Sequence, residues 1–237
     1  MTAERYLIVN ADDFGQSAGV NRGIVKAHSS GIVTSASLMV RWPAATAAAA
    51  YGRAHPDLDL GLHVDIGEWV YRYGKWESLY TVVPLHDATA IAGEVYRQVA
   101  TFRRLVGRDP SHLDSHQHVH LREPIRTVLI EMALKLTVPL RHCTPYVRYR
   151  GDFYGQTAEG TPLPDAISVE QLIKILKTLP PGYTELGCHP GEGEDLDSIY
   201  CGERTVELGV LCDPRVRAAV KAMGIELRSF LHVTRLD

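Results

Sequence analysis

The chain has 237 residues, of which 45% are hydrophobic and 22% charged, and its formal net charge is −3. This composition predicts a globular protein with a substantial apolar core, folded as a single domain over residues 1–237. The small negative charge and the lack of long basic runs argue against a surface for nucleic acid or anionic membrane lipid. No stretch approaches the roughly 18 uninterrupted apolar residues of a membrane span. We therefore expect a cytoplasmic protein that acts on a small, mostly neutral partner.

Patterns typical of strands and helices alternate along the chain. The apolar run YLIVN at 6–10 predicts a buried strand, and the stretch 19–30, closed by Gly31, has the length and the glycine stop of a helix. Further strands are predicted at 32–40, 58–64, 111–119, 138–143, 183–189 and 225–230. Further helices are predicted between them, at 44–54, 87–106, 122–136, 168–179 and 213–224. This order predicts an α/β fold with about seven parallel strands, either open or closed into a barrel.

Two stretches, 67–83 and 150–166, do not fit the alternation. Both are rich in aromatic residues and glycine. Long irregular segments in compact domains are often lids or binding loops. We therefore predict irregular segments there, and we expect the first of them to overhang a site.

Polar side chains gather at the predicted carboxyl ends of four strands. They are Asp12 and Asp13 after the first strand, His63 and Asp65 at the third, His116 to His120 at the fourth, and His189 at the sixth. In parallel α/β sheets that edge is where ligands bind. One aspartate pair alone is typical of a solvated turn, but the coincidence at four strand ends predicts a shared site.

The run HLDSHQHVH at 112–120 is the densest of these signals. If it is extended, Asp114, His116, His118 and His120 share one face, because side chains alternate along a strand. Such neighbours still stand about 6–7 Å apart, so they cannot all bind one metal ion. One aspartate with two histidines from separate strands gives three ligands and an open position, which is the pattern of a hydrolytic zinc site.

Five motifs occur in order over most of the chain: NADDFG, GIVTSASLMV, GLHVD, HLDSHQHVH and ELGCHPG. With them the chain resembles the YdjC-type carbohydrate deacetylases, whose better-known members are chito-oligosaccharide deacetylases. The resemblance implies a deformed TIM-like (β/α) barrel and the removal of an acetyl group from an N-acetylated sugar with one divalent metal ion, Zn²⁺ or Mg²⁺. It also implies that His63 and His116 are the metal histidines.

The roles of the two adjacent aspartates follow from a resemblance to the more distant polysaccharide deacetylases, in which paired aspartates act as metal ligand and general base. That resemblance assigns Asp13 to the metal and Asp12 to the general base, and the reverse assignment stays open. His189, in GCHPG, is the candidate for the general acid or for holding the leaving group. Its alternative role is a hydrogen bond to the backbone of a Pro-Gly turn.

Candidate substrate contacts come from aromatic and basic residues. Trp69, Tyr71 and Trp76, in the first irregular stretch, suit stacking on the apolar face of a sugar, although they also suit the core of a lid. Arg141 suits a charged substituent such as phosphate, and so does Arg148, with an ordinary surface arginine as the alternative for both.

Two other classes of function remain open from the sequence. His63-Val64-Asp65 with a distant histidine matches the two-His-one-carboxylate set of non-haem iron oxygenases, although the oxygenases with that spacing are usually all-β. The second alternative is a metal- or sugar-binding protein without catalysis. The sequence is also compatible with a homo-oligomer.

Overall fold

The structure, a computed structural model, describes residues 4–193, 195–196 and 200–233. Its strands are β1 (Arg5–Phe14), β2 (Ser35–Leu38), β3 (Asp59–Val64), β4 (Gly67–Arg72), β5 (Lys75–Thr81), β6 (Leu113–Ser115), β7 (Val147–Arg150), β8 (Gly182–Cys188) and β9 (Ile225–Leu227). Its helices are α1 (Ala18–Ser29), α2 (Ala45–Ala54), α3 (Ala88–Val106), α4 (Ile125–Leu136), α5 (Val169–Lys177), α6 (Gly202–Leu211) and α7 (Pro214–Ala222). None of these helices is long and apolar enough to cross a membrane.

Seven parallel strands form one sheet that curls into a half-barrel, which confirms the predicted deformed barrel of about seven strands. The strand order is β6-β3-β2-β1-β8-β7, with β9 paired to the start of β1. β1 lies at the centre, because β8 pairs with it from Arg5 to Ala11 while β9 and β2 share its other edge. Since the strands are parallel, their carboxyl ends meet at one rim.

The prediction of a strand at 138–143 is wrong. Leu140 makes only an isolated parallel bridge to Leu113 of β6, and the left-handed φ of 62° at His142 then turns the chain away. The seventh strand of the sheet is instead β7, which pairs with β8 from Val147 onward. The segment between Leu140 and Val147 therefore runs from one edge of the half-barrel to the other.

The stretch 67–83 is also more regular than predicted. β4 and β5 pair antiparallel as a hairpin, with Tyr71 opposite Trp76. Tyr73 and Gly74 connect them with φ values of 53° and 79°, the positive pair that a two-residue type I′ turn requires. We call this element the hairpin.

The apolar core lies between the sheet and the helices, whereas the inside of the half-barrel is polar. Ile24 of α1 and Phe102 of α3 are among the fully buried side chains of the core. Inside the half-barrel, Asn10 of β1 donates to Ser37 of β2 at 2.7 Å, and Ser37 donates to Asp114 of β6 at 2.6 Å. Buried polar groups of this kind are stable only when each finds a partner, so the barrel interior is held together by hydrogen bonds.

Candidate active site

A bulge in β1 brings Asp12 and Asp13 to the same cavity. In a regular strand, adjacent side chains point to opposite faces of the sheet. The register between β1 and β2 shifts between Ala11 and Phe14, and Asp13 has a left-handed φ of 68°. This irregularity breaks the alternation, so that both carboxylates line the cavity at the rim.

The histidine run leaves the extended conformation directly after β6. Residues His116–Leu121 form a tight helical turn in which Gln117 and His118 both have a φ of 50°. Asp114, His116, His118 and His120 therefore do not share one face, as an extended chain would require. His116 faces Asp13, whereas His120 is buried between Ser115 Oγ (2.7 Å) and the carbonyl of Arg141 (3.1 Å).

Asp13, His63 and His116 form a buried group whose ligand atoms all lie within 4.8 Å of one another. Oδ1 of Asp13 is 3.0 Å from Nδ1 of His116 and 3.4 Å from Nε2 of His63. Two of the three groups are also held from behind, because Arg204 donates to Oδ2 of Asp13 at 2.6 Å and Nδ1 of His63 lies 2.8 Å from Asp114. One carboxylate and two imidazoles in this arrangement fit a divalent metal ion.

A second group that could hold a metal ion shares His63 and adds Asp12 and Asp114. Arg141 already occupies both of these carboxylates, with Nη1 at 2.6 Å from Asp12 and Nη2 at 2.8 Å from Asp114. A guanidinium therefore contacts both carboxylates of this group, whereas in the Asp13 group a guanidinium takes up only Oδ2 and Oδ1 faces the two histidines. The Asp13 group is therefore the better site for a metal ion.

The charges around Asp13 keep its carboxylate ionised, as a metal ligand must be. Burial alone would raise the pKa of Asp13, but Arg204 and His116 outweigh it and hold this pKa well below its usual range. Burial lowers the pKa of His116, whereas Asp13 raises it, to about 9 overall. A metal ion must displace the proton from each histidine it binds, and it would then replace the positive charge that these protons supply.

The structure places Arg141 beneath Asp12, where it does not line the cavity. Its side chain comes from the segment that crosses between the barrel edges, and the residue is only 4% exposed. It donates to both oxygens of Asp12, at 2.6 and 2.7 Å, and to Glu185 of β8 at 2.7 Å. The predicted contact with a charged substituent is therefore replaced by a buried ion pair. Arg148 is exposed and donates to the carbonyl of Pro181.

His189 follows β8 and lines the same cavity. Its Nε2 lies 3.8 Å from Oδ2 of Asp12, and its Nδ1 lies 3.8 Å from Oε1 of Glu207. Its backbone N–H donates to Oε2 of Glu207 at 2.5 Å, and Tyr200 donates to Oε1. Glu207 thus fixes the backbone that presents the His189 ring beside Asp12.

The cavity measures about 730 Å³, within the usual range for ligand pockets. Trp69 and Trp76 of the hairpin line one side, while Tyr71 packs edge-on against Trp76, with ring centroids 5.6 Å apart, and is not part of the lining. Tyr149, Phe153 and Tyr154 also line the cavity. The hairpin and the chain after β7 therefore both border the site.

Asp65 does not join His63 at the cavity. Its Oδ2 accepts from Arg41 at 2.8 Å and from Trp42 at 3.1 Å, and its Oδ1 accepts from Tyr80 at 2.9 Å. These bonds turn the carboxylate toward the base of the hairpin. The structure thus does not assemble the His-x-Asp set of the oxygenase alternative.

Sequence reasoning missed Arg204 and Glu207, which are both on α6. These two charged residues occupy the buried face of α6 together with Leu208 and Leu211. A charged pair three residues apart on an otherwise apolar helix face was the available signal, since buried charges are almost always paired. Because no helix is predicted at 202–211 from the sequence, the spacing of this pair could not be related to a helix face.

Comparison with known proteins gives consistent matches. A family model described as YdjC-like protein matches residues 6–222. A carbohydrate deacetylase from Geobacillus stearothermophilus is 33% identical over 253 residues, covering 98% of this chain and 99% of the relative. A chitooligosaccharide deacetylase from Serratia marcescens is 32% identical over 257 residues, covering 96% of this chain and 98% of the relative. A solved structure of a candidate cellobiose-phosphate cleavage protein from Enterococcus faecalis V583 has a TM-score of 0.78 at 24% identity, covering 97% of this chain and 98% of that one.

Proposed function

The chain belongs to the YdjC-like protein family, and on that premise we propose that it is a metal-dependent hydrolase that removes the acetyl group from an N-acetylated sugar. The products would be acetate and an amino sugar of the glucosamine type. The observation that carries the proposal is the meeting of Asp13, His63 and His116 with Asp12 and His189 at one cavity. The two curated deacetylase relatives support the same reaction class.

We assign the metal ligands to Asp13, His63 and His116. When bound there, a divalent cation such as Zn²⁺ or Mg²⁺ supplies Lewis acidity, which lowers the pKa of water and polarises a carbonyl oxygen. Arg204 keeps Oδ2 of Asp13 occupied, which leaves Oδ1 as the oxygen that faces both histidines. The protein thus presents one oxygen and two nitrogens, with the remaining positions open to the cavity.

Asp12 is the general base in this proposal. Its Oδ1 accepts hydrogen bonds from Asn10 and Arg141, whereas its Oδ2 accepts from Arg141 and faces His189. Burial opposes ionisation of Asp12, but Arg141 outweighs it and lowers the pKa of this carboxyl. The carboxylate is therefore ionised at neutral pH, and a lone pair on Oδ2 can take the proton of the attacking water.

His189 is the general acid in this proposal. The amide nitrogen leaves as an amine only if it gains a proton as the C–N bond breaks. His189 lines the cavity with its Nε2 3.8 Å from Oδ2 of Asp12. The water's proton then moves to Asp12, and the leaving nitrogen receives its proton from His189. Glu207 holds the His189 backbone in place during this exchange.

Trp69 and Trp76 line the cavity next to the groups assigned to the reaction. An indole ring offers a large contact area to the apolar face of a pyranose. Tyr154, which also lines the cavity, could enclose the same ring. We propose these contacts as the source of sugar binding, in place of the buried Arg141.

The test is an acetate-release screen on N-acetylated mono- and oligosaccharides after chelation and reloading with zinc, magnesium, cobalt or nickel. Acetate release that is lost on chelation and regained with one metal supports the proposal. Metal and sugar binding without any acetate release would instead support a non-catalytic binding protein. Oxygen consumption would favour an oxygenase.

A further inference from the structure

Gln117 joins the turn that carries His116 to the hairpin. Its Oε1 accepts from the backbone N–H of Trp69 at 2.9 Å, and its Nε2 donates to the carbonyl of Trp69 at 2.7 Å. One side-chain amide thus satisfies both backbone groups of Trp69, as a neighbouring strand would. Neither bond involves the metal ligands or the groups assigned to proton transfer.

The backbone at Gln117 is strained in a way that serves this contact. Gln117 and His118 both have a φ of 50°, a conformation that is unfavourable for a residue other than glycine. The strained turn sends the side chain of His116 toward Asp13 and that of Gln117 toward the hairpin. Strain of this kind persists only where the surroundings hold it in place.

Elsewhere in the described chain the hairpin is held by apolar packing of β4, where Val70 is buried, and by hydrogen bonds at its base. At its base, Tyr80 and the N–H of Gly67 donate to Asp65, at 2.9 and 3.2 Å. Its far end stands in solvent, where Tyr73 is 95% exposed. Because an isolated two-stranded hairpin is marginally stable in water, its position over the cavity depends on these contacts together with the side-chain amide described above.

The hairpin also carries two groups that face the site. The Trp69 ring lines the cavity, and Oε2 of Glu68 lies 3.8 Å from Nε2 of His116. That nitrogen is buried and has no hydrogen-bond partner among the described residues. A displacement of β4 would therefore move both the cavity wall and the carboxylate that faces the outer nitrogen of His116.

We propose that Gln117 is a positioning residue that fixes the hairpin to the His116 turn, and thereby sets Trp69 over the cavity and Glu68 beside His116. The hairpin is then a fixed wall of the substrate site and not a freely moving lid. The consequence for sugar binding rests on the function proposed above, whereas the attachment itself does not.

The attachment is tested first without substrate or metal. In a protein with Trp42→Phe and Trp76→Phe, Trp69 is the remaining tryptophan and reports on the hairpin by acrylamide quenching. Gln117→Ala should raise the quenching constant at least twofold and speed hydrogen exchange in residues 67–72 at least tenfold, with an unchanged urea midpoint. Gln117→Glu, which puts a carboxylate against the Trp69 carbonyl, should do the same. Lys75→Ala, on the exposed part of the hairpin, is the matched control and should change neither.

The second test separates positioning from a general structural effect. In the enzyme with its natural tryptophans, Gln117→Ala should raise KM about tenfold and change kcat less than threefold. In a Trp69→Ala background the same substitution should leave KM unchanged, because the side chain that it positions is gone. Unchanged quenching and exchange, or additive effects on KM, would overturn the proposal. If the wild-type protein releases no acetate, the proposed function fails, while quenching and exchange still decide the attachment.

Discussion

Oδ1 of Asp114 lies 2.8 Å from Nδ1 of His63, on the opposite side of the ring from Asp13. This contact puts the proton of a neutral His63 on Nδ1 and leaves Nε2 free for a metal ion. Asp114 is itself held by Ser37 at 2.6 Å and by Arg141 at 2.8 Å. The orientation of one metal ligand therefore depends on a buried network that reaches across the half-barrel.

Asp114→Asn should weaken metal binding by about 10- to 100-fold, the usual cost of losing a partner behind a metal histidine. The measurement is competition with a chromophoric chelator. Asp59→Asn is the matched control, because Asp59, on β3, is also a fully buried carboxylate. It pairs with Arg108 at 3.2 Å and belongs to neither group that could hold a metal ion. Equal metal affinity of wild type and Asp114→Asn would contradict the prediction.

The two adjacent aspartates should respond differently to the same substitution. Asp12→Asn should keep the metal and lose roughly 10²- to 10⁴-fold in kcat, because it removes a positioned proton acceptor. Asp13→Asn should lose most of the metal affinity, because it removes the negative charge of the carboxylate that faces both histidines. Metal content and acetate release, measured on both variants, check the pair. The opposite pattern would mean that Asp12 binds the metal and Asp13 is the general base.

Arg141→Met should destabilise the fold by about 3–5 kcal/mol, because it leaves buried carboxylates without their counter-charge. The affected groups are Asp12, Asp114 and Glu185. Urea unfolding of the metal-free protein measures the loss. Arg148→Met, which changes an exposed arginine, should stay within about 0.5 kcal/mol of wild type. Similar free energies of unfolding for both variants would show that the buried ion pairs do not outweigh the cost of desolvating their charges.

Glu185 should make the metal-free protein less stable as pH rises. Burial raises the pKa of Glu185 to about 7, although Arg141 beside it favours the charged form. The folded state then binds a proton that the unfolded state, with a carboxyl pKa of about 4.3, has already lost, so stability falls between about pH 4.5 and 7. Relative to Glu185→Gln, wild type should lose on the order of 2 kcal/mol between pH 5 and 8. Parallel stability curves for the two proteins would refute this.

The alternation of strands and helices, and the gathering of acids and histidines at one rim, could be predicted from the sequence. Periodicity places α3 well, because its apolar positions recur on one face and Gly107 ends it. The motifs place Asp12, His63, His116 and His189, and the structure brings all four to one cavity.

The rest depended on irregular backbone that local patterns do not specify. The bulge at Asp13 and the left-handed turn at Gln117 are stabilised by contacts with distant residues, such as Arg204 and Trp69. The hairpin was missed because β5 is largely exposed and buried residues do not alternate with exposed ones along β4, so no apolar alternation marks either strand. Arg141 was misplaced because its burial is decided by three carboxylates that come from other strands.

The central place of β1 sets the order in which the protein can be assembled during synthesis. β1 is made first, yet β8 follows it by about 170 residues, which at roughly 5–20 residues per second is on the order of 10–30 s of translation. During that time the apolar strand YLIV lacks its partner strands on both edges, because β9 is made even later than β8, and unpaired edges invite aggregation. Such non-local pairing also makes folding slow. A nascent chain stalled before Gly182 should therefore remain bound by chaperones, and it should acquire its native β1 only after β8 emerges.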